Sequence, residues 1–158
     1  MEITVTNRQA KVDWDSELSN LVVKALQKAA EIHDIPDRAE VSLVLVDDEE
    51  IRLFNKEYRG VDRPTDVLSF ALDEKGPDEP DYPTPSEMEA LLGDIIISLE
   101  TAQRQGEEFG HGLARETAYL AVHGMLHLLG YDHDGEDETK RMRAMEERVL
   151  AEIGLGRP

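Results

Sequence analysis

The chain has 158 residues, no cysteine, and 35 Asp and Glu against 17 Lys and Arg, giving a formal net charge of -18 at pH 7. That length suits one domain with one sizeable core, so a single domain over 1–158 is expected; the lack of cysteine excludes disulfides and thiolate metal sites. The opening MEITVTN lacks a signal-peptide pattern and no run approaches the ~20 apolar residues that cross a bilayer, so a cytoplasmic place away from membranes is expected, while the acidic balance leaves room only for local basic contacts to a polyanion.

Residues 2–6 read as an edge strand. Asp13 to Ser16 supply capping side chains, after which Leu18, Leu21, Val22, Ala25, Leu26 and Ala29 recur at helical spacing. Val41 to Val46 suits a buried strand, and Asp47 with Glu50 forms a capping-box-like start to a helix whose inward face is Ile51, Phe54 and Tyr58. After Gly60 the chain turns through Asp62 to Pro64 into a strand over Asp66 to Leu72, and the proline-rich, acidic stretch Asp73 to Ser86 reads as a surface loop. Gly93 to Ser98 is a further strand. A helix from about Leu99 should end near Gly106 or Gly110, an apolar helix follows from about Leu113 to Leu129, and a last helix turns Met142, Met145, Val149, Leu150 and Ile153 inward. With strands mostly early and helices mostly late, the expected class is α+β: one mixed sheet of about four strands, about five helices, and a metal site at the end of a central helix.

That metal site rests on HGMLHLLGYDH. His123 and His127 stand four apart, so on a helix they share one face about 5 to 6 Å apart. Gly130 is a natural helix stop that allows the chain to bring His133 back toward the same point. Three imidazoles suit zinc best, leaving a fourth tetrahedral position for water, although copper, nickel and iron also accept imidazole. The spacing is that of the metzincin peptidase signature, glycine included, with Gly124 where the general-base glutamate of a peptidase stands. Glycine carries no proton, so the geometry persists without the peptidase chemistry.

HGMLHLLGYDH, together with NKEYRGVDRPTDVLSF over Asn55 to Phe70 and LGDIIIS over Leu92 to Ser98, resembles the signature blocks of the YbeY family of zinc-dependent endoribonucleases, the rRNA maturation factors. The resemblance spans nearly the whole chain, with one departure: Ala71 stands where that family's proline is expected, which should relax the strand end. It implies a metal-dependent, single-strand-specific endoribonuclease acting in small-subunit (16S) rRNA 3′ end maturation and ribosome quality control. By motif position His123, His127 and His133 would be the ligands of one Zn2+, and Arg59 the functional arginine. Implied partners are rRNA and the small ribosomal subunit, with a ribosomal protein and a ribosome-assembly GTPase as candidates, and neither DNA nor membrane. Two rivals remain: a ribosome-assembly binding factor with a structural zinc, and a degenerate metzincin-like metallopeptidase.

On the residues alone, Arg52, Lys56 and Arg59 share one helix face that Arg63 extends, and a solvated face with Asp48 paired to Arg52 is the simpler account. The resemblance reverses this for Arg59 only. Asp132 and Asp134 flank His133 as candidates to orient an imidazole. His33 and His111 read as surface or cap residues, and Asp66 and Asp94 as structural hydrogen-bonding groups at strand starts.

Overall fold

The computed structural model describes residues 1–71 and 91–156, so the loop expected over Asp73 to Ser86 lies outside the described residues. Strand β1 (Glu2–Asn7) leads to helix α1 (Ser16–Ile32), then β2 (Glu40–Val46), α2 (Asp48–Arg59), β3 (Val67–Ala71), β4 (Leu91–Ser98), α3 (Leu99–Glu108), α4 (Gly112–Leu128) and α5 (Glu136–Glu152). The sheet order is β1-β2-β4-β3, with β1 and β4 parallel to β2 and β3 antiparallel to β4. Among the described residues the expected mixed four-stranded sheet and five helices form, and β1 is indeed an edge.

Period-two alternation divides the strands between two apolar layers. Val41, Leu43, Leu45, Ile95 and Ile97 point into the main core with α1, α4 and α5, while Val46, Leu68 and Ile96 meet Ile51 and Phe54 of α2 on the other face. Helix starts follow the capping side chains: Asp15 accepts from Leu18 N at 2.9 Å and Asp47 from Glu50 N at 2.9 Å. The Glu50 carboxylate is drawn away from Asp47 by Arg8, 2.7 Å distant.

Several local expectations change. Tyr58 is 57% exposed rather than inward, because Ile51 and Phe54 already fill the shallow face of α2. Asp48 does not pair with Arg52; it bonds Ser98 Oγ and Thr101 Oγ1 at 2.6 Å each and Arg104 at 2.9 Å, pinning the start of α2 to that of α3. Those three donors hold the Asp48 carboxyl below its usual range although burial opposes this. Arg52 instead takes Asp62 at 2.8 Å and Glu49 at 3.3 Å. Asp94 is the exposed fourth residue of β4 rather than a strand start. Ala71 is paired with Gly93 in the ladder.

Helix α4 is the spine, packing on β3 and β4 and against α1, α3 and α5. A Cβ at Gly124 would meet Ile95 Cγ2 at 2.8 Å and Val67 Cγ2 at 3.5 Å, so the glycine is where the helix presses on the sheet. No described helix is long and apolar enough to cross a membrane.

Candidate metal centre

The last turn of α4 and the loop after it build the site. Gly130, at φ +98°, takes the left-handed conformation that terminates the helix; its N–H donates to His127 O at 3.1 Å, and Tyr131 N–H donates to Leu126 O at 2.9 Å. The chain so reversed carries His133 back over the helix end. Ring centroids of His127 lie 4.8 Å from His123 and 4.9 Å from His133, and those of His123 and His133 lie 5.8 Å apart. One nitrogen from each ring falls within 4.8 Å of the others, and among the described residues no fourth His, Asp or Glu joins the group.

The Nδ1 atoms of the two helical histidines are already taken, which fixes ring orientation and turns Nε2 toward the shared point. His123 Nδ1 lies 2.7 Å from Oε2 of Glu146, and His127 Nδ1 lies 3.0 Å from Tyr131 O. Burial, with His123 and His133 adjacent, depresses the His127 pKa and so favours the neutral imidazole that a metal requires. Three clustered imidazole nitrogens, two of them on rings held by a second bond, fit a divalent ion of the zinc type.

The surrounding groups are held from a distance in sequence. Glu146 is 2% exposed and sits on the buried stripe of α5, one turn from both Met142 and Leu150. Tyr131 donates to or accepts from His33 Nε2 through its hydroxyl at 2.8 Å, and His33 Nδ1 reaches Ala29 O at 2.7 Å, which ties the metal loop to the end of α1. His33 therefore is a cap residue with a second task. Asp132 Oδ1 accepts from His133 N–H at 2.7 Å, the first of the causes that hold its carboxyl low, and so shapes the backbone rather than the imidazole. Tyr119, 6.1 Å from His123 between ring centroids, is pushed up to about 12 by burial and then by Glu146, Glu116 and Asp66, so it stays protonated. His111 stands at the N-cap of α4 but makes no capping bond with its side chain; its Nε2 meets the buried Glu116 at 2.6 Å.

The sequence alone did not point to Glu146 or Tyr131, and it marked His33 only as a surface or cap residue. For Glu146 a signal existed: a carboxylate at helical spacing within an otherwise apolar stripe, on the helix that follows the three histidines.

A cavity of about 590 Å³ opens over the three histidines. Its lining includes Arg59, Thr65, Asp66, Ser69, Tyr131 and Asp132. Gly60, left-handed at φ 72°, ends α2 directly after Arg59. The arginine then folds over the β3 edge: Nη2 donates to Ser69 O at 2.9 Å, and the guanidinium carbon stands 4.8 Å from the Phe70 ring centroid. Asp66 Oδ1 accepts from Val67 N–H at 2.7 Å, the structural bond expected of it. The arginine strip is not a common cationic face, since Arg52 is engaged by Asp62 and Glu49. A cation that shares one cavity with three clustered nitrogen donors can bind and polarise an anionic ester.

Comparison with known proteins gives a concordant picture. The family model for endoribonuclease YbeY matches residues 4–154. A protein of Moorella thermoacetica named endoribonuclease YbeY is 55% identical over 157 residues, covering 99% of this chain and 100% of its own. Its namesake from Pelotomaculum thermopropionicum is 52% identical over the same share of both chains. The solution structure of TM1509 from Thermotoga maritima is similar with a TM-score of 0.58 and 29% identity, covering 95% of this chain and 90% of that one.

Proposed function

The chain belongs to the endoribonuclease YbeY family, and from that membership and the histidine cluster we propose a metal-dependent, single-strand-specific endoribonuclease that trims the 3′ end of small-subunit rRNA. It is a hydrolase that acts on RNA. His123, His127 and His133 hold one Zn2+, and Arg59 grips the scissile phosphate; both roles are supported by the single cavity that the imidazoles and the guanidinium line together. A bound zinc would supply Lewis acidity at a phosphoryl oxygen and a lowered pKa for coordinated water. Arg59 stabilises charge that develops on the phosphate, in a fork geometry that lysine lacks. Glu146 and Tyr131 orient two of the three rings.

The three-ligand cluster speaks against a purely structural zinc, which normally has four protein ligands. The peptidase alternative lacks its base, and the sheet leaves no room for one at Gly124. The acidic surface implies weak affinity for naked RNA, so the small ribosomal subunit and assembly proteins supply localisation in the cytoplasm.

Purified wild-type protein, Arg59→Ala and His127→Ala, each assayed for zinc content and for cleavage of a single-stranded rRNA 3′ end fragment, test the assignment. His127→Ala should lose metal and cleavage together, whereas Arg59→Ala should keep metal and fold while losing cleavage. Undiminished cleavage by either variant overturns its assigned role.

A further inference from the structure

We propose that the exposed ring of Tyr58, backed by Phe54 and Phe70, is a stacking seat for one unpaired base of the RNA next to the phosphate held by Arg59; this rests on the ribonuclease function proposed above. Three observations lead there.

The first is a shortage of usable positive charge. Among the described residues that line the metal cavity, Arg59 is the sole lysine or arginine, and Asp66 and Asp132 line it too. Several of the chain's other cations are held in ion pairs: Arg8 with Glu50, Lys11 with Asp47 and Glu100, Arg52 with Asp62, Arg104 with Asp48. On a chain of net charge -18, counterion release supplies little of the affinity that most RNA-binding proteins draw from it. Recognition must lean on a contact indifferent to charge. Base stacking on an aromatic ring is such a contact, since every base offers a π-face.

The second is the ring itself. Tyr58 is 57% exposed, yet its neighbours hold it: Phe54 is stacked on it at 6.1 Å with 21° between planes, and Phe70 meets it edge-on at 5.4 Å. A ring with only two side-chain torsions, already braced on two sides, loses little entropy when a ligand settles on it. As part of the small apolar layer under α2, Tyr58 would be better placed inside, where Ile51 and Phe54 are.

The third is continuity with the site. Tyr58 and Arg59 are consecutive, and the guanidinium lies over the same Phe70 ring whose edge touches Tyr58. Arg59 and Ser69, joined by the 2.9 Å bond, both line the cavity. A phosphate on Arg59 therefore leaves its attached nucleotide at the rim where the aromatic rings begin. A base inside a duplex has both faces covered by its neighbours, so only an unpaired one can use the seat, which gives single-strand preference a physical origin.

The test is a set of short single-stranded oligoribonucleotides, 2′-O-methylated against cleavage, that carry 2-aminopurine at successive positions and are titrated with the zinc-loaded protein. Wild-type protein should quench the probe at one position. Tyr58→Ala should abolish that quench and weaken binding by about 5- to 150-fold, to a similar degree at low and high salt, whereas Tyr58→Phe and Tyr58→Trp retain both. Should Tyr58→Ala misfold by circular dichroism or lose zinc, quenching by Tyr58→Phe and Tyr58→Trp still decides the matter, a graded deepening with ring size being the expected result. Wild-type cleavage with no quench at any position, or unchanged binding by folded Tyr58→Ala, overturns the seat and leaves the ribonuclease function standing. Absence of RNA cleavage by the wild-type protein overturns that function and the seat together. Normal binding of oligonucleotides by Tyr58→Ala with failure only on ribosomal particles assigns the ring to a protein contact, against the proposal.

Discussion

Removing the Glu146 carboxylate should loosen the metal without touching a ligand. The carboxylate accepts from His123 Nδ1 at 2.7 Å, and at 2% exposure no water stands ready to replace it. Loss of such an orienting partner typically weakens metal affinity by about 10- to 100-fold, or ~1.4 to 2.7 kcal/mol. Glu146→Gln keeps an acceptor of the same shape and should fall near the lower bound; Glu146→Leu removes the bond and should approach the upper. Under excess zinc the same figures reappear as lost stabilisation of the folded state, so the zinc-induced rise in Tm should shrink by roughly 3 to 10 °C for a chain of this size. Competition against a chromophoric chelator gives the affinity, and thermal melts with and without zinc give the second, independent measure. Equal zinc affinity for folded Glu146→Leu and wild type would refute the claim that this carboxylate sets the His123 ring.

Other perturbations have equally definite outcomes. Gly124→Ala places a methyl 2.8 Å from Ile95 Cγ2 and should cost about 1 to 3 kcal/mol of stability by overpacking, read as a lowered denaturant midpoint; Gly124→Glu should cost more and confer no casein cleavage. Burial holds the folded His127 pKa below the ordinary imidazole range, so as pH falls through that window the unfolded chain binds its proton first and the metal-free protein loses stability. Urea midpoints at pH 7.5 and 5.5 should therefore diverge more for metal-free wild type than for His127→Asn, and an equal drop in both would contradict the shift. Gly130→Ala has no atom to strike but must adopt φ +98°, so it should cost roughly 1 kcal/mol and weaken zinc binding through a displaced His133, measurable in the same chelator assay. His33→Ala removes the bond to the Tyr131 hydroxyl and should lower stability by about 1 kcal/mol while leaving the spectrum of the cobalt-substituted protein close to wild type.

Much of this architecture was legible because it is periodic or covalently local. Strands β2 and β4 are β-branched runs, α1 and α5 carry apolar stripes, and the Asp15 and Asp47 caps lie three residues from the N–H groups they accept, so each follows from its own segment. The histidine cluster was legible for the same reason: all three fall within one helix end and its reversing loop. What was hidden depends on packing between distant segments. Glu146 meets His123 only because α5 folds against α4, and the Tyr131 hydroxyl finds His33 across the joined ends of α4 and α1. Asp48 was misassigned because its helix neighbour Arg52 is visible in the sequence, while Arg104, Ser98 and Thr101 arrive with α3 from fifty residues on. Tyr58 sits at a position that helical spacing predicts to be inward, and only the narrowness of the layer beneath α2 turns it out.

Gly124 shows how one ligand spacing can serve two chemistries. A peptidase glutamate must give a proton to a departing amine as well as take one from water, so the histidine pattern alone cannot cut a peptide. Phosphodiester cleavage asks chiefly for charge stabilisation on the transferring group, which a cation and an arginine fork supply without a carboxylate on the ligand helix. Here that helix is the spine of the fold, and its sheet-facing side is so close to Ile95 that position 124 has space for no side chain. Arg59, at the end of α2, bonds the β3 backbone at Ser69 and lines the same cavity as the three histidines. The glycine that stands where a protease base would be is thus the same residue that lets the histidine helix seat firmly on the sheet.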